Sequence, residues 1–536
     1  MRRPFECILC LFILVVCSAA LAAPLGTLDT GFAGGGIGTF DFSTLCGNGG
    51  VSNDFAAAIA LGTDGISPVL AGRSIDSVCY YASVAQLSRT GAATAQYGFA
   101  IEQSAASTPN TVNAVLEVGG LLVYGGEAYS VSAGIDTAYL ETSSGAFVRI
   151  QLPVSGTYST VSGLALDSAG AIYAVGNYRT TGGTTRAYVA KFDTSLTAQG
   201  LFGGFGNHGV VSFAASLSAL GEFDEFTAVA IDAQGRPVAV GRTGNFPCAT
   251  CQANDDFLIV RFTASGQIDT TFGGSGEDII DFDGADHWQP VANPIGGGVS
   301  NSCDANPQCY NLAQDDRATA VAIDSLQRIV VVGYTQQFLT DNGTPPSQGG
   351  LVTWNGHAYG IVKLTADGYL DLSTFGSNNV EIMVNDYGGS SILTLSAPAI
   401  FWSDAGGIHG GDANGVVIDR ADAFDVSGSV GAGSNLHDIG LARFVETLSP
   451  IVGDEWAPDP AFGNSGLTRI HLDQNFGVPA DTQGTAMALD AQGRLLIAGY
   501  TNQNDQNAGS GYDFLAARVL SDGIFRDGFE ITNPVP

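Results

Sequence analysis

Positive charge is the scarcest property of this 536-residue sequence, which has 20 Lys and Arg against 52 Asp and Glu and a formal net charge of −32. A chain this acidic repels a phosphate backbone, so nucleic acid is excluded as a partner. The acidity is typical of a protein kept soluble outside the cell, and divalent-cation binding is the alternative interpretation. Helical patterns are nearly absent, while 73 glycines favour turns. The composition therefore predicts an all-β protein.

Long hydrophobic runs are also lacking, except at the N-terminus. Two arginines precede an apolar stretch over residues 8–16, and small residues follow over 18–23. This order predicts a secretory signal peptide over residues 1–23. A lipid anchor at Cys17 is the alternative, although the bulky Val16 precedes it. No later run approaches the roughly 18 apolar residues that a spanning helix needs. We therefore expect an exported chain without a transmembrane segment, secreted, periplasmic or held at the cell surface.

The motifs of common catalytic sites are missing as well. The six histidines form neither His-x-x-x-His nor His-Glu-x-x-His, and there is no Gly-x-Ser-x-Gly turn. These spacings would place two metal ligands on one helix face or expose a nucleophilic serine. The sequence thus assigns no catalytic residue and no cofactor, with Ca²⁺ as the one alternative. It favours a role other than catalysis without deciding the question.

Nine cysteines are present, three of them within the predicted signal peptide. An even number in an exported chain favours disulfides over free thiols. The shortest separations suggest pairing 248 with 251, 303 with 309, and 46 with 79. A zinc or redox role for the Cys-x-x-Cys at 248 is the alternative, but no second such pair follows it. The six cysteines of the mature chain are Cys46, Cys79, Cys248, Cys251, Cys303 and Cys309.

A repeating pattern organises the rest of the chain, and it is clearest over residues 226–276. Short apolar runs at 228–231, 238–240, 257–260 and 279–280 are separated by polar turns rich in glycine. These runs predict four strands of about four to six residues. Because each run is nearly continuous rather than alternating, both faces of the resulting sheet should be covered. Four short antiparallel strands packed between neighbouring sheets describe one blade of a β-propeller.

Further copies of the pattern begin near residues 55, 112, 162, 318, 416 and 485, and those at 112 and 416 are degenerate. We therefore predict seven four-stranded blades. Residues 28–42 resemble the end of a repeat with its fourth strand, although no blade precedes them. This N-terminal strand is expected to complete the last blade and close the ring, which would remove exposed sheet edges. The predicted organisation is a signal peptide over 1–23, a single propeller over 24–530 and a C-terminal tail over 531–536.

The copies share the elements apolar-Asp-x-x-Gly-Arg-apolar-Gly and Leu/Ile-Asp-x-x-Phe-Gly, as in residues 229–241 and 268–273. In these elements the chain resembles the bacterial delta-60 repeat, a β-propeller repeat family of secreted or surface proteins. The resemblance implies the propeller fold and export. The family carries no well-defined activity, so the resemblance leaves function open.

Several charged residues recur in the repeat. Asp232, Asp324 and Asp490 end the first strand of their units, and Arg261 and its counterparts Lys363, Arg443 and Arg518 lie near the end of the third strand. Recurrence in successive blades indicates a structural role, such as turn capping or a repeated ion pair. The tails containing Asp269 and Phe272, and Asp371 and Phe375, are likewise interpreted as a capped turn with an aromatic wedge.

The long connections all belong to one face of the predicted propeller. Loops between second and third strands share this face with the connections from one blade to the next. The long loops between strands are 73–79, 242–256, 335–358 and 501–512, and the long connections between blades are 43–53, 283–316 and 385–414. The opposite turns are mostly short. Binding residues are commonly carried on loops of a rigid scaffold, so this loop-rich face is the expected binding face.

Two groups of candidate site residues lie on that face. Exposed aromatic side chains beside polar ones suit sugar or protein ligands; the alternative is that they form small cores within the loops themselves. The candidates for ligand binding are Trp288, Trp354, Trp402, His287 and Tyr310. Asp281, Asp283 and Asp286 are weaker candidates for a metal site, because their spacing departs from an EF-hand loop.

Three functions fit these features. The leading one is a monomeric binding or scaffolding protein that holds a glycan, a protein or a cell-surface ligand on the loop-rich face. The second is a secreted polysaccharide hydrolase or lyase with a carboxylate site on the same face, which would need convergent acids with a perturbed pKa. The third is a purely structural surface protein.

Overall fold

The computed structural model describes the chain from residue 23 to residue 521, with gaps. The described residues contain strands and turns but no α-helix. No helix long and apolar enough to cross a membrane is present among them. Residues 1–22 and all six cysteines of the mature chain lie outside the described residues. The described ranges are 23–44, 52–75, 80–99, 110–153, 156–196, 205–206, 209–215, 223–245, 254–280, 282, 315–340, 352–371, 380–381, 394–395, 399–400, 402–404, 407–431, 436–449, 453–472, 480–503 and 511–521.

The first strands build two separate four-stranded antiparallel sheets. Strands two to five form one sheet in sequence order, and strands six to nine form the next. Their bounds, with that of the strand preceding them, are β1 (Ile37–Phe40), β2 (Asn53–Leu61), β3 (Pro68–Ile75), β4 (Tyr80–Leu87), β5 (Ala93–Phe99), β6 (Asn110–Val118), β7 (Leu121–Ser130), β8 (Ile135–Thr142) and β9 (Phe147–Arg149).

The next eight strands form one sheet made of two antiparallel halves. The halves are joined by a single parallel bridge between Thr185 and Phe223. In the first half the last strand pairs with the third, and the second half runs in sequence order. The strands are β10 (Gly156–Leu166), β11 (Ile172–Thr180), β12 (Thr185–Phe192), β13 (Val210–Phe213), β14 (Phe223–Ile231), β15 (Pro237–Asn245), β16 (Asn254–Arg261) and β17 (Glu277–Ile280).

The remaining strands complete three more blades and two short ribbons. The sheets are β18-β19-β20-β23, β26-β27-β28-β29 with β30 also on β28, and β31-β32-β33 with β1. The strands are β18 (Asp316–Ile323), β19 (Ile329–Thr340), β20 (Val352–Leu364), β21 (Val380–Glu381), β22 (Thr394–Leu395), β23 (Ala399–Ile400), β24 (Trp402–Asp404), β25 (Gly407–His409), β26 (Gly411–Ile418), β27 (Phe424–Gly431), β28 (His437–Ser449), β29 (Gly453–Pro458), β30 (Leu467–Ile470), β31 (Thr482–Leu489), β32 (Arg494–Thr501) and β33 (Asp513–Leu520).

These sheets are arranged as a β-propeller, with five separate blades and the eight-stranded sheet. We call β2, β6, β10, β14, β18, β26 and β31 the inner strands, because each begins a run of antiparallel strands and contacts the next inner strand in the chain. The last of them, β31, contacts the first, β2. The core consists of separate apolar clusters, each shared by consecutive sheets or half-sheets rather than enclosed by one.

The N-terminal segment joins the last blade, as predicted. Strand β1 pairs antiparallel with β33, so that Phe40 lies opposite Phe514. Ahead of this strand, Asp29 accepts a hydrogen bond from Arg518 Nε at 2.8 Å, and the guanidinium of Arg518 lies over the ring of Phe32. Arg261 makes the same two contacts within its own blade. The N-terminal segment therefore supplies the tail as well as the fourth strand of the last blade.

The recurring aspartates cap the short turns at one end of the inner strands, which confirms their structural role. Asp232 Oδ1 accepts hydrogen bonds from the backbone N–H groups of Gln234 and Arg236, and its Oδ2 accepts one from Arg236 Nε at 2.6 Å. Asp324 and Asp490 make the corresponding bonds to Arg328 and Arg494. We call this the short-turn end. One carboxylate there satisfies the backbone donors of a tight turn.

The strands are longer than the sequence predicted, and the extra length lies at the other end. The run expected at 228–231 is strand 223–231, and segments expected in loops at 242–245, 254–256, 335–340 and 352–358 are also strand. The error has a physical origin, because most of the added residues are polar or charged. Several of them, such as Asp224, Glu225 and Asp255, are nevertheless buried, so the apolar pattern stops before the strand does.

Candidate functional site

A glycine on the second strand of each unit holds the inner strands in one geometry. A Cβ on Gly241 would lie 1.9 Å from the carbonyl oxygen of Glu225, and one on Gly333 would lie equally close to that of Arg317. No side chain fits such an approach. The same contact, at 1.9–2.0 Å, recurs at all members of this set, which are Gly72, Gly126, Gly176, Gly241, Gly333, Gly428 and Gly499.

The residue whose carbonyl oxygen approaches that glycine pairs with the residue directly after the glycine, as Glu225 pairs with Arg242. It is followed by an apolar or small residue and then by a β-bulge, as at Phe226/Ala228. The close glycine contact and the bulge are the same in every inner strand, but the residue at this position differs between most of them. These residues are Phe55, Thr111, Thr160, Glu225, Arg317, Asp412 and Gln483.

An ion-pair network lies where β14 and β18 meet. Arg242 contacts Glu225 at 3.0 Å and Asp255 at 2.5 Å, while Arg317 from the next blade reaches the other oxygen of Glu225 at 2.5 Å. Burial raises the pKa of the Asp255 carboxyl despite the nearby Arg242. Burial also raises the pKa of Asp315, which precedes the inner strand. The network therefore holds two fixed guanidinium groups beside carboxyls that are reluctant to ionise.

A stacked aromatic pair continues the network into the next blade. The rings of Tyr334 and His357 lie parallel, with centroids 4.2 Å apart. His357 Nδ1 lies 2.7 Å from Asp412 Oδ1 on the following inner strand. Burial alone would lower the pKa of His357, but the hydrogen bond and charge of Asp412 outweigh it and raise the pKa. Protonated His357 is thus an ion-pair partner of Asp412 that keeps its charge to a higher pH than an ordinary histidine.

A second pair of a histidine with an aspartate lies at the last blade, together with three aromatic rings. His437 Nδ1 lies 2.8 Å from Asp481 Oδ1, and Tyr512 donates its hydroxyl to the other oxygen at 2.7 Å. The bond to Asp481 raises the pKa of His437. Burial would raise the pKa of Asp481, but the bonds from His437 and Tyr512 lower it. Tyr512 packs with Phe55 and Tyr500 at centroid distances of 5.4 Å.

Opposite these groups, Tyr158 donates a short hydrogen bond to Glu127 of the preceding blade. Burial raises the pKa of Tyr158, and the charges of Glu127 and Glu225 raise it further. The phenol therefore stays protonated as a donor. This pair extends the polar set to the two units that precede β14.

We call this set the channel-mouth cluster; its members lie at the end of the inner strands opposite the short-turn end, or contact residues there. Its members combine fixed donors and acceptors, aromatic faces and ionisable carboxyls, which are the groups that orient a polar ligand in a pocket. They are Phe55, Glu127, Tyr158, Glu225, Arg242, Asp255, Asp315, Arg317, Tyr334, His357, Asp412, His437, Asp481, Gln483, Tyr500 and Tyr512.

Most site residues predicted from the sequence are not placed by the structure. The backbone of Trp354 lies in β20 opposite Leu339, and that of Trp402 lies in β24 opposite His409. The other predicted residues lie outside the described ones, and their roles stay predictions. They are Trp288, His287, Tyr310, Asp281, Asp283 and Asp286, together with Cys46, Cys79, Cys248, Cys251, Cys303 and Cys309.

The channel-mouth cluster was missed as a site by sequence reasoning, although a signal for it was present. Directly after the second-strand glycine the copies differ, with Arg242, Tyr334 and Tyr500 in three of them. The glycine before this position recurs in every copy, and the apolar run before that glycine recurs in most of them. A position that varies inside a strict repeat is not needed by the scaffold, and that variation marks it as a candidate for binding.

Comparisons with known proteins support no assignment to a family. No protein-family model matches the chain, and no curated protein matches it. Sqt1 from Chaetomium thermophilum is similar at 11% identity and a TM-score of 0.36, over 88% of this chain and 97% of that one. The GH43_1 enzyme from Xanthomonas citri complexed with xylose is similar at 12% identity and a TM-score of 0.28, over 59% and 89%.

A third solved structure, a PL25 ulvan lyase bound to a GlcA-rhamnose sulfate ligand, is similar at 10% identity and a TM-score of 0.27, over 66% of this chain and 67% of the lyase. Likenesses this weak carry no inference about the activity of this chain. Its function has to be argued from its own residues.

Proposed function

We propose that the protein is an exported seven-bladed β-propeller of the delta-60 type that binds a glycan at its channel-mouth cluster. The count of seven requires the eight-stranded sheet to be two blades. Its halves share one bridge, and each half carries its own close glycine contact, at Gly176 and Gly241. An apolar core cluster also lies between the halves, as it does between separate blades.

Hydrogen bonds between inner strands support the same count. Thr227, at the bulge of β14, donates to the carbonyl oxygen of Ala318 in β18 at 2.6 Å. Thr319 makes the corresponding bond to Ala413 at 2.6 Å, and Thr485 in the last inner strand donates to Ala56 in the first at 2.8 Å. The chain of contacts therefore returns to its start, as ring closure requires.

One observation carries the binding proposal: the channel-mouth cluster is polar and aromatic, and its residues differ between most blades although the strand geometry around them is repeated. Sugars offer hydroxyl groups to fixed donors and acceptors and apolar ring faces to aromatic side chains. Tyr512 and Tyr500 supply the aromatic faces, and Asp412 supplies an acceptor held by His357. Because Arg242 and Arg317 already pair with carboxylates, an uncharged glycan suits the cluster better than a strongly anionic one.

A polysaccharide hydrolase or lyase is the second candidate, and the pKa values favour it specifically. A carboxyl whose pKa is raised donates a proton more readily at a given pH than an ordinary one, and burial raises the pKa of both Asp315 and Asp255. A general acid of this kind needs a partner base or nucleophile in reach of the same sugar. His357 and Asp412 lie on the neighbouring strands and would be the first residues to test in that role.

The test is retention of the purified mature protein on a panel of insoluble polysaccharides, with released sugar measured in the supernatant. We expect retention without release, reduced at least ~10-fold by Tyr512→Ala, because the sugar loses a stacking face. Tyr369→Ala is the matched control, since Tyr369 is an exposed tyrosine at the short-turn end. Release of sugar that Asp315→Asn abolishes would establish the enzyme instead. Absence of both retention and release would overturn glycan binding in favour of a protein ligand.

A further inference from the structure

Three carboxylates meet where the N-terminal strand closes the propeller, next to Phe55 and Tyr512 of the channel-mouth cluster. One carboxylate oxygen from each of Asp41, Asp54 and Asp513 lies within 4.8 Å of the other two. Asp41 follows β1 and Asp513 opens β33, so the pairing of Phe40 with Phe514 brings them side by side. Asp54 belongs to the first inner strand. The cluster thus joins three segments that are far apart in the sequence.

Asp54 is buried without a full set of partners. It is 0% exposed. Its Oδ2 accepts hydrogen bonds from the backbone N–H of Phe42 at 2.8 Å and from the Ser52 hydroxyl at 3.1 Å. No described residue donates a hydrogen bond to its Oδ1. The Ser74 hydroxyl lies beside Asp54 and shares a 2.6 Å hydrogen bond with Ser83 in which either hydroxyl can donate, and burial raises the pKa of Asp54 to about 7. A buried carboxylate oxygen without a donor is costly unless a cation lies beside it.

Two other positions in the repeat show how a buried carboxylate at this location can be neutralised. In the first half of the eight-stranded sheet, Arg186 occupies the position of Asp513 and reaches Asp224, the counterpart of Asp54, at 3.3 Å. In the blade of β28, Asp438 occupies the position of Asp513 and is met by Arg469 at 2.5 Å. Both locations therefore contain a cationic side chain beside the buried carboxylate. At the closure, acids occupy the corresponding places.

We propose that Asp41, Asp54 and Asp513 bind a calcium ion that ties the N-terminal segment to the first and last blades. Calcium takes carboxylate oxygens at about 2.3–2.6 Å, so two ligands of one ion can lie about 5 Å apart, which matches the separation here. Magnesium, with shorter bonds and a rigid octahedron, fits less well. The Ser52 hydroxyl, 3.4 Å from Asp41 and 3.1 Å from Asp54, stands beside the same group of oxygens. The ion would supply the charge that Arg186 supplies elsewhere.

This inference does not depend on glycan binding. It predicts that the ring of an exported protein is closed more firmly where calcium is plentiful. An affinity in the range of extracellular modules, about 10⁻⁴–10⁻³ M, would be sufficient for that purpose. Binding to the folded state alone would raise thermal stability in proportion to the logarithm of calcium concentration.

The experiment is calorimetric titration of CaCl₂ into chelator-treated mature protein, paired with thermal unfolding at 0 and 5 mM CaCl₂. Wild-type protein should bind one ion at this site and unfold at least ~1 °C higher with calcium. Asp41→Asn should weaken this binding by at least ~10-fold. Asp193→Asn is the matched control, because Asp193 also accepts hydrogen bonds from the N–H and hydroxyl of the serine two residues on, and it should leave calcium binding unchanged.

Asp513→Arg provides a second, independent variant, since it copies the arrangement of Arg186. It should abolish calcium binding at the closure and make the unfolding temperature independent of calcium. The proposal is overturned if wild-type protein shows no calcium binding up to about 10 mM, ten times the upper end of that range. It is equally overturned if Asp41→Asn and Asp513→Arg both bind calcium as tightly as Asp193→Asn.

Discussion

The two ends of the inner strands use the same kinds of residue in different ways. At the short-turn end, Asp232, Asp324 and Asp490 each cap a turn and pair with the arginine four residues later. At the channel mouth, the residues presented by equivalent positions are mostly different, as Glu225 and Arg317 show. A charge that recurs with its partner serves the scaffold, whereas a charge that changes from blade to blade is available to a ligand.

The largest expected difference between the two ends is the stability lost when a glycine is replaced by alanine. Gly241→Ala would place a Cβ 1.9 Å from the Glu225 carbonyl oxygen, so strands β14 and β15 must separate. We expect a loss of about 3 kcal/mol or more in the free energy of unfolding, measured by chemical denaturation. Gly235→Ala is the control at the short-turn end. Gly235 has a φ of 74° with nothing near its Cβ position, so only backbone strain of about 1 kcal/mol should appear.

Equal losses for Gly241→Ala and Gly235→Ala would contradict this account. Backbone conformation would then set the cost at both sites, and strands β14 and β15 would be able to separate at the channel mouth without a large loss of stability. The comparison also has a folding readout. If Gly241→Ala fails to fold while Gly235→Ala folds, the larger predicted cost is supported without a measured value.

Matched aspartate variants should separate stability from binding. Asp324 is buried and ion-paired with Arg328 at 2.5 Å, so Asp324→Asn should cost about 1–2 kcal/mol of unfolding free energy and leave glycan retention unchanged. Asp412 has a side chain 41% exposed. Asp412→Asn should cost less than about 0.5 kcal/mol but reduce retention several-fold. Denaturation and polysaccharide pull-down of both variants measure the two effects.

The reverse pattern would break the distinction between the ends. If Asp412→Asn lost stability while keeping full retention, the channel-mouth cluster would be part of the scaffold, and the ligand would have to bind on the outer loops. A loss of retention in Asp324→Asn at temperatures where it stays folded would instead place binding at the short-turn end.

Most of the scaffold could be predicted from the sequence because each of its structural features recurs. Apolar runs, the glycine before Arg242, and the pair of Asp232 with Arg236 repeat with constant spacing, and the segment at 28–42 was recognisable as a displaced repeat end. The site was not readable in the same way. Its residues lie in strand extensions that are largely polar even where they are buried, as at Glu225 and Asp255, so no apolar alternation marks them. The contact between Glu225 and Arg317 also joins residues 92 apart.

The closing carboxylates show a related limit. Asp41 and Asp513 are separated by nearly the whole chain and become neighbours only when β1 pairs with β33. The sequence predicted that pairing, but it did not lead to the carboxylates that the pairing brings together. Asp281 was considered as a metal ligand because other acids follow it closely in the sequence. Proximity created by ring closure has no such local signal.

The smallest expected difference between the ends lies in their response to pH. The short-turn end uses Arg–Asp pairs, whose arginine stays charged throughout, whereas the channel mouth uses His437 with Asp481. The contact with Asp481 raises the pKa of His437 in the folded state. The pair therefore stabilises the fold fully below the ordinary histidine pKa of about 6.5, and this stabilisation is lost as pH rises through the folded-state pKa. Because the pKa of Asp481 is lowered in the folded state, the stabilisation by the pair is lost on the acid side only as pH falls below about 4.

We therefore expect His437→Gln to cost roughly 0.5 kcal/mol of unfolding free energy at pH 5.5, after allowing for solvent screening of a partly exposed ring. The cost should shrink as pH rises above about 6.5, because wild-type His437 then loses its charge. Denaturation curves of both proteins between pH 5.5 and 8.5 measure it. Asp324→Asn should show a constant cost over the same range, since Arg328 does not titrate there. A constant cost for His437→Gln would mean that its contact with Asp481 acts as a neutral hydrogen bond and that the two ends do not differ in their response to pH.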